Sequence, residues 1–326
     1  MSATRLPYQE TRAHLRQTAP GAAPVIRAKR RYGTLSPLRY PGGKAALAGL
    51  FADLIDDLHL TSGIYVEPYA GGAGAGVALL RHGLVDRLII NDIDPAVHAF
   101  WQAVVKHNGE LVDRIANTPI SLTEWHHQRE IYRSGTAHGL DLAFAFFFLN
   151  RTNRSGVLNA GVIGGQAQNG RYKIDARFNR ETLTERLAAL GALADRIEVT
   201  DLDGRTVIQK YADNPHVFMY IDPPYVRAGS DLYLNAFERR DHQALAAAIA
   251  KTTAAHWLLT YDVSPLVEQL YEDFFQARLA LNYSARHPGM ANELVVASPS
   301  VADALRARLG GEAAAAAAVQ AAPTHP

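Results

Sequence analysis

The four residues Asp222-Pro223-Pro224-Tyr225 combine an acid, two rigid prolines and an aromatic ring directly after the apolar run 216–221. The exocyclic amine of a nucleobase is a poor nucleophile because its lone pair is conjugated into the ring. A carboxylate at Asp222 and a backbone carbonyl at Pro223, each accepting one N–H, would localise that lone pair, and proline holds the backbone direction fixed. Tyr225 would offer a stacking face for a base pulled out of its duplex. The alternative is a buried strand followed by an ordinary proline turn.

A glycine-rich turn follows an earlier apolar run, in the segment 65–76. Turns of this kind that open a helix bring backbone N–H groups close to a ligand. The segment lacks the Gly-Lys-Ser/Thr of a phosphate-binding loop, and the acid Glu67 in front of the glycines would repel a pyrophosphate and attract an ammonium. We therefore expect Glu67 and Gly71 to bind a cofactor with an amino-acid end rather than a dinucleotide.

Three further acids lie after apolar runs. Asp92 stands where a carboxylate in a doubly wound fold can accept hydrogen bonds from both ribose hydroxyls of a nucleotide-like ligand. Asp94 precedes Pro95 and is expected to cap the helix that starts there. Asp201 is placed either near the adenine amine of that ligand or in an ordinary surface turn, and the sequence favours neither.

These residues require a scaffold that brings distant segments together. Short apolar runs alternate with helical patterns, which is typical of an α/β fold with a mostly parallel, doubly wound sheet. Two late runs separated by turn formers predict an antiparallel hairpin at one edge of that sheet. The predicted strands are 64–67, 88–90, 197–199, 217–221, 256–261, 274–281 and 293–297, and the clearest helices are 75–81, 95–106 and 240–251.

About a hundred residues separate the second and third predicted strands, which is too long for a normal crossover and indicates an insertion. Within it, 140–149 is apolar all round and should be a buried helix, whereas 150–179 mixes glycines with arginines and asparagines. The predicted organisation is a disordered basic tail (1–33), a cofactor-binding first part of the catalytic domain (34–118), an inserted target recognition region (119–189), a second catalytic part (190–309) and a disordered alanine-rich tail (310–326).

The charge is segregated along the chain although the whole carries only +1. Residues 1–31 hold seven basic residues against one acid, and residues 150–180 hold six against one. A polyanion such as double-stranded DNA would thus meet two basic segments on an acidic body. Each segment could also be a solvated tail or loop.

The composition excludes several other classes of protein. The chain has 326 residues and no cysteine, so it has neither disulfides nor thiolate metal sites. No apolar stretch approaches the length that crosses a bilayer, and no export signal is visible at the N-terminus. We expect a cytoplasmic protein.

Four motifs occur together in one order: Leu38-Arg39-Tyr40-Pro41-Gly42-Gly43-Lys44, Glu67-Pro68-Tyr69, Asn91-Asp92-Ile93-Asp94 and Asp222-Pro223-Pro224-Tyr225. Their order resembles the Dam-type adenine-specific (N6) DNA methyltransferase family. The resemblance implies a Rossmann-like fold that uses S-adenosyl-L-methionine, with an inserted, mainly helical target recognition domain. It also implies that Tyr40, Lys44, Asp92 and Asp222 contact that cofactor and that Asp222 serves the target amine as well. A further implication is a bacterial or phage-encoded enzyme associated with the nucleoid.

The insertion resembles the recognition region of the same family at two places, Leu149-Asn150-Arg151 and Gly170-Arg171-Tyr172-Lys173. The tyrosine-rich stretch of that family is replaced here by 152–157, so the resemblance does not specify the recognised site. The candidate DNA contacts are Arg151, Arg154, Ser155, Asn159, Arg171 and Lys173.

The sequence therefore predicts base flipping followed by direct in-line methyl transfer to N6 of adenine in DNA. The sulfonium methyl is already activated, so no metal is expected. A cognate restriction endonuclease is a possible partner. Methylation of N4 of cytosine or of adenine in RNA, and a catalytically silent DNA-binding module, remain alternatives.

Overall fold

The structure is a computed structural model that describes residues 24–27, 31–33, 35–39, 44–226, 237–282 and 290–321. The described residues build one eight-stranded sheet in the order β1-β7-β8-β6-β5-β2-β3-β4. All pairs are parallel except those of β8, which is antiparallel to both neighbours. The strands are β1 Val25–Arg27, β2 Ile64–Glu67, β3 Arg87–Asn91, β4 Ile197–Thr200, β5 Val217–Ile221, β6 His256–Asp262, β7 Phe275–Asn282 and β8 Met290–Ala297.

Helices cover both faces of the sheet, as expected for a doubly wound fold. The described helices are α1 Ala48–Asp57, α2 Gly74–Arg81, α3 Pro95–Lys106, α4 Asn108–Asn117, α5 Leu122–Arg133, α6 Gly139–Thr152, α7 Arg180–Gly191, α8 Gly204–Tyr211, α9 Arg239–Ile249, α10 Pro265–Leu270 and α11 Pro299–Ala321. None of the helices among the described residues is long and apolar enough to cross a membrane.

Strand β5 shows how the sheet divides two cores. All five of its residues are buried, because a central parallel strand is covered on both faces. Phe218 and Tyr220 pack into the core on one face, whereas Val217, Met219 and Ile221 pack into the core on the other. The continuous apolar run of the sequence is therefore the pattern of a central strand, and it fixes where Asp222 leaves the sheet.

The strand order reverses between β2 and β5. The chain moves outward from β2 to β3 and β4, then returns to place β5 on the other side of β2. Ligands of open α/β sheets bind in the crevice that such a reversal opens at the carboxyl ends of the strands. Glu67 and Asp222 stand at those two ends.

The predicted hairpin is confirmed as β7 and β8, but it does not form the edge of the sheet. Strand β1 pairs with β7 and is the outermost strand on that side. The prediction of a disordered tail over 1–33 was therefore wrong for 25–27, since a partner about 250 residues away supplies the hydrogen bonds that the local sequence cannot.

The prediction of disorder over 310–326 was wrong as far as Ala321, where α11 ends. Alanine is the strongest helix former, so an alanine-rich stretch can extend a helix that begins on the protein body. The remaining residues of both predicted tails lie outside the described residues.

The segment between β3 and β4 is mainly helical, as predicted. Helix α6 is buried along 143–150 and packs against α3 and α5. Its apolar surface explains why the sequence shows no amphipathic period there. From 153 to 179 the chain is irregular, with one isolated bridge between Asn153 and Val162, and buried Ile174 and Phe178 anchor it.

Candidate active site

The Asp222 carboxylate receives hydrogen bonds from three side chains. Thr260 Oγ1 donates to Asp222 Oδ1 at 2.7 Å, and the Tyr225 hydroxyl donates to the same oxygen at 3.0 Å. Lys44 Nζ lies 3.3 Å from Oδ1 and 3.2 Å from Oδ2. Among the described residues, Oδ2 thus receives one donor while Oδ1 receives three. The two oxygens of the predicted catalytic acid are not equivalent.

Lys44 is the centre of this network. Its side chain is 5% exposed and forms ion pairs with Asp222 at 3.2 Å and Glu293 at 3.3 Å. Burial disfavours the ammonium, but the two carboxylates outweigh burial and raise the pKa of Lys44. Lys44 also donates to the Tyr225 hydroxyl at 2.7 Å. The lysine of the first motif therefore contacts the acid and the tyrosine of the last one.

The sequence did not single out Thr260 or assign Glu293 a role. Thr260 is a fully buried hydroxyl within the apolar strand β6, and a polar residue at such a position is the signal that could have identified it. Glu293 lies in β8, and its carboxylate reaches Lys44 at 3.3 Å.

Thr260 is itself oriented by Tyr220, whose hydroxyl lies 2.7 Å from Thr260 Oγ1. A hydroxyl has one proton, and Thr260 gives its proton to Asp222. Tyr220 must therefore be the donor to Thr260. Both residues are buried, so a chain of two hydroxyls approaches Asp222 from the interior of the sheet.

Pro223 and Tyr225 follow Asp222 at the carboxyl end of β5. Pro223 is buried and Tyr225 is half-buried. The centroid of the Tyr225 ring lies 6.0 Å from that of the Tyr261 ring. Lys44 Nζ lies 5.1 Å from the Tyr225 centroid. The ring is thus held in place, and its service as a stacking face for a base stays a prediction.

The glycine-rich loop is built around two acids. The Gly76 N–H donates to Glu67 Oε1 at 2.9 Å, and the Gly71 N–H donates to Asp92 Oδ2 at 2.8 Å. Gly71 has a left-handed φ of 46°, which glycine adopts without strain. At Gly76 a Cβ would lie 2.5 Å from Leu88 Cδ1, so no larger residue fits. Glu67 and Asp92 shape the loop that they flank.

Glu67 is 4% exposed, and its burial raises the pKa to about 8, opposed by the Gly76 N–H and augmented by the Asp222 charge. This buried acid is therefore largely protonated at neutral pH in the ligand-free protein. A cationic ligand beside it would favour the ionised form.

The raised pKa of Glu67 predicts a pH-dependent stability. Between its ordinary value of 4.5 and about 8, the folded state holds a proton that the unfolded state releases. The proton on Glu67 therefore stabilises the folded state at low pH. This stabilisation falls by about 1 kcal/mol per pH unit as the pH rises through this window. We expect Glu67→Gln, which keeps an acceptor for Gly76, to gain stability relative to the native protein from pH 5 to 8. Urea unfolding at four pH values measures this difference, and a constant difference would contradict a protonated Glu67.

Asp92 and Asp94 have separate tasks. Asp92 accepts from the backbone N–H groups of Gly71 and Asp94, and burial raises its pKa to about 6, opposed by these two bonds. Asp94 caps α3 by accepting from the Ala96 N–H at 2.8 Å, which confirms that prediction. Asp201 follows β4 and is exposed.

Five of the six predicted DNA contacts are exposed, namely Arg154, Ser155, Asn159, Arg171 and Lys173. Next to them, Tyr172 is 57% exposed, with the Arg171 guanidinium 5.5 Å from its ring. Lys173 donates to the Gln168 carbonyl. Arg151 differs because it is half-buried and donates to the Pro37 carbonyl at 3.5 Å.

Two points concern Tyr40 and metal binding. Tyr40 lies outside the described residues. Across the described residues there is no group of three or more acidic or histidine side chains arranged to hold a metal ion.

The D12 class N6 adenine-specific DNA methyltransferase family matches residues 40–283, and this chain belongs to that family. Its fold is a Rossmann-like methyltransferase fold, and the protein is a DNA methyltransferase.

Individual relatives are distant. The chain is 20% identical over 258 residues to Type II methyltransferase M.CviBI of Paramecium bursaria Chlorella virus NC1A, which covers 78% of this chain and 94% of that protein. Among solved structures, the rRNA methyltransferase aviRa of Streptomyces viridochromogenes is similar with a TM-score of 0.38 at 17% identity, covering 85% of this chain and 93% of that one. A Pyrococcus horikoshii protein has a TM-score of 0.32 at 8% identity, covering 90% and 97%. These TM-scores are too low to support an inference.

Proposed function

We propose that this protein transfers a methyl group from S-adenosyl-L-methionine to N6 of an adenine in a specific DNA sequence, after the adenine has rotated out of the duplex. The observation that carries the proposal is the Asp222 carboxylate at the carboxyl end of β5. Oδ1 is engaged by Thr260, Tyr225 and Lys44, whereas Oδ2 receives Lys44 alone among the described residues. Oδ2 is thus the oxygen with capacity to accept an amine N–H.

The residues at the carboxyl ends of β2 and β3 fit the cofactor that the family implies. Each oxygen of Asp92 accepts one backbone N–H, which leaves acceptor capacity for two ribose hydroxyls. Glu67 is a buried carboxyl that would gain from a cationic neighbour. We assign Asp92 to the ribose, Glu67 to the ammonium, and Lys44, Gly71 and Asp222 to the remaining lining.

Tyr40 and Asp201 keep their predicted cofactor contacts as part of the proposal. When bound, S-adenosyl-L-methionine supplies a methyl group on a sulfonium, a good leaving centre that needs no metal. Everything else in the reaction falls to the protein, which must hold the amine and exclude competing geometries.

Asp222 and Pro223 hold the adenine amine in this mechanism. Asp222 Oδ2 accepts one N–H and the Pro223 carbonyl accepts the other, which draws the nitrogen toward tetrahedral geometry and localises its lone pair. Tyr225 stacks on the flipped base. Asp222 need not be a strong base, because the amine becomes acidic only once it carries the methyl group. Positioning and charge complementarity then provide most of the rate.

Thr260 is a positioning residue in this mechanism. Its bond to Oδ1, fixed from behind by Tyr220, turns the carboxylate so that Oδ2 faces the site. We expect Thr260→Val to lower kcat about 10- to 100-fold, the effect of losing one hydrogen bond to a charged group, with little change in KM for either substrate. Thr260→Ser should restore most of kcat.

Steady-state kinetics with both substrates checks this expectation. Thr252→Val is the matched control, because Thr252 lies before the amino-terminal end of β6, whereas Asp222 lies at the carboxyl end of β5. This substitution should leave kcat unchanged. An equal loss in the valine and serine variants, or a rise in KM without a fall in kcat, would argue against a positioning role.

The proposed function is tested by incubating the protein with unmethylated DNA and S-adenosyl-L-methionine, followed by digestion to nucleosides. We expect N6-methyladenine. N4-methylcytosine, or transfer to RNA alone, would replace the substrate assignment, and sequence-specific binding without transfer would favour the silent DNA-binding module.

The recognised sequence follows from sequencing the methylated DNA. The similarity to a Type II methyltransferase supports a cognate restriction endonuclease as a partner. The exposed residues Arg154, Ser155, Asn159, Arg171 and Lys173 are the proposed DNA contacts of the recognition region, together with Arg151.

A further inference from the structure

Three arginines from distant parts of the chain converge on the segment 36–39. Arg186 of α7 donates to the Ser36 carbonyl at 3.3 Å, and Arg151 at the end of α6 donates to the neighbouring Pro37 carbonyl at 3.5 Å. These carbonyls belong to consecutive residues, and the charge of Arg186 acts on Arg151. Arg39 extends from the same segment to the Asn153 carbonyl at 3.0 Å.

Arg177 completes this group, which we call the arginine cluster (Arg39, Arg151, Arg177 and Arg186). Burial, together with the charges of Arg39, Arg186 and Arg177, lowers the pKa of Arg151 to about 9. Burial also lowers the pKa of Arg39, again with Arg177 contributing. The members are thus close enough to repel one another.

The cluster lacks the carboxylate partner that nine other described arginines have. Within the described residues, carboxylates pair with Arg31, Arg87, Arg114, Arg196, Arg205, Arg240, Arg278, Arg306 and Arg308. The described residues provide no such ion pair for the cluster. Arg151 Nε is also fully buried without a hydrogen-bond partner there. Half-buried like charges destabilise a fold unless an anion neutralises them.

The cluster is connected to the active site through Ser36. The Ser36 hydroxyl donates to the Gly72 carbonyl at 2.6 Å, and Gly72 belongs to the glycine-rich loop. On its other side, Arg39 contacts Asn153 at the start of the irregular segment that carries the proposed DNA contacts. An anion held by the cluster would therefore lie between the irregular segment 153–179 and the glycine-rich loop.

We propose that the arginine cluster is a binding site for a backbone phosphate of the DNA substrate. The proposal rests on the proposed function, since DNA is the polyanion that reaches this surface. A guanidinium offers a planar fork of donors that matches phosphate oxygens. In Arg39, Arg151 and Arg186, one N–H of the guanidinium donates to a backbone carbonyl. These hydrogen bonds orient the three groups before a phosphate binds. Such a contact carries no sequence information and sets the register of the duplex on the enzyme.

The test uses Arg151→Gln and Arg186→Gln in the full-length protein. Binding of a fluorescein-labelled duplex of mixed sequence is followed by anisotropy over a series of KCl concentrations. Each phosphate contact contributes about 0.9 to the slope of log K against log salt. We expect each variant to bind roughly five- to tenfold more weakly, with a slope smaller by about 1. The thermal midpoint should be unchanged or higher, because a repelling charge has been removed.

Arg87→Gln is the control. Arg87 is the first residue of β3, at the amino-terminal end of that strand, and it is paired with Glu198. It should keep the native slope. Native affinity and slope in the two cluster variants, with a lower thermal midpoint, would overturn the proposal in favour of a purely structural role. A weaker affinity for S-adenosyl-L-methionine with an unchanged salt slope would instead assign the anion to the cofactor carboxylate and overturn the phosphate assignment.

Failure of this proposal is distinguishable from failure of the proposed function. The salt slope is measured without methyl transfer, so a native protein that binds DNA but does not methylate adenine contradicts the function and leaves the cluster intact. A protein that methylates adenine while both variants keep the native slope contradicts the cluster alone.

Discussion

Replacing Asp222 with alanine is expected to lower kcat by at least about 10³-fold, because the only predicted carboxylate acceptor for the amine is lost at the point where the reaction develops charge. Asp222→Asn should be nearly as inactive, since its amide presents two donors where an acceptor is needed. Methyl transfer to DNA under single-turnover conditions measures this loss directly.

Both variants should remain folded. Lys44 keeps its ion pair with Glu293, and the Asp222 side chain is already 21% exposed. Asp86→Asn is the matched control. Asp86 directly precedes the amino-terminal end of β3, and this variant should retain native activity. Full activity in Asp222→Ala would discard the catalytic assignment, and an unfolded protein, recognised by circular dichroism, would shift the test to Asp222→Asn.

The position of Asp222 in the fold was predictable because its signal is local. An apolar run that ends in an acid and two prolines identifies both a central strand and the residue that leaves it, and the structure places Asp222 at that strand end. The same holds for Asp94, whose capping role follows from the adjacent Pro95. The α/β alternation likewise predicted the parallel core of the sheet.

The remainder of the site depends on contacts between distant residues. Lys44 and Asp222 are 178 residues apart, and Thr260 is 38 residues from Asp222. No local pattern specifies which buried hydroxyl will face a carboxylate on the neighbouring strand. Strand β1 was missed for the same reason, since three residues in a basic tail form a strand only because β7 supplies their partner.

Arg151 illustrates how the environment of a residue can differ from that of its sequence neighbours. Arg154 and Ser155 are exposed, whereas Arg151 is half-buried and donates to the Pro37 carbonyl within the arginine cluster. The convergence of Arg39, Arg151 and Arg186 is visible only after the insertion has folded back on the segment 36–39. Charge counting along the chain located the basic segment but could not show which of its arginines lie together.

Replacing Lys44 with methionine, a neutral side chain of similar length, is expected to have the largest effect on stability. It removes the ammonium that Lys44 places 3.2 Å from Asp222 and 3.3 Å from Glu293, so both carboxylates lose the positive charge that they share. Removing one partner of a buried pair costs about 3–5 kcal/mol. Urea unfolding of the ligand-free protein measures this cost. Activity should fall as well, because Asp222 loses a donor to each of its oxygens.

The same substitution at an exposed pair provides the control. Lys210 pairs with Glu198 at 2.9 Å at the surface, where its side chain is 48% exposed, so Lys210→Met should cost less than about 1 kcal/mol. Adding Glu293→Gln to Lys44→Met should recover part of the stability, because it removes one of the two carboxylate charges that Lys44 had paired. It should not recover activity. A cost at position 44 no larger than that at 210 would mean that the ion pair contributes no more than a surface one. Recovered activity in the double variant would mean that Lys44 acts only by neutralising Glu293, and that Asp222 does not depend on it.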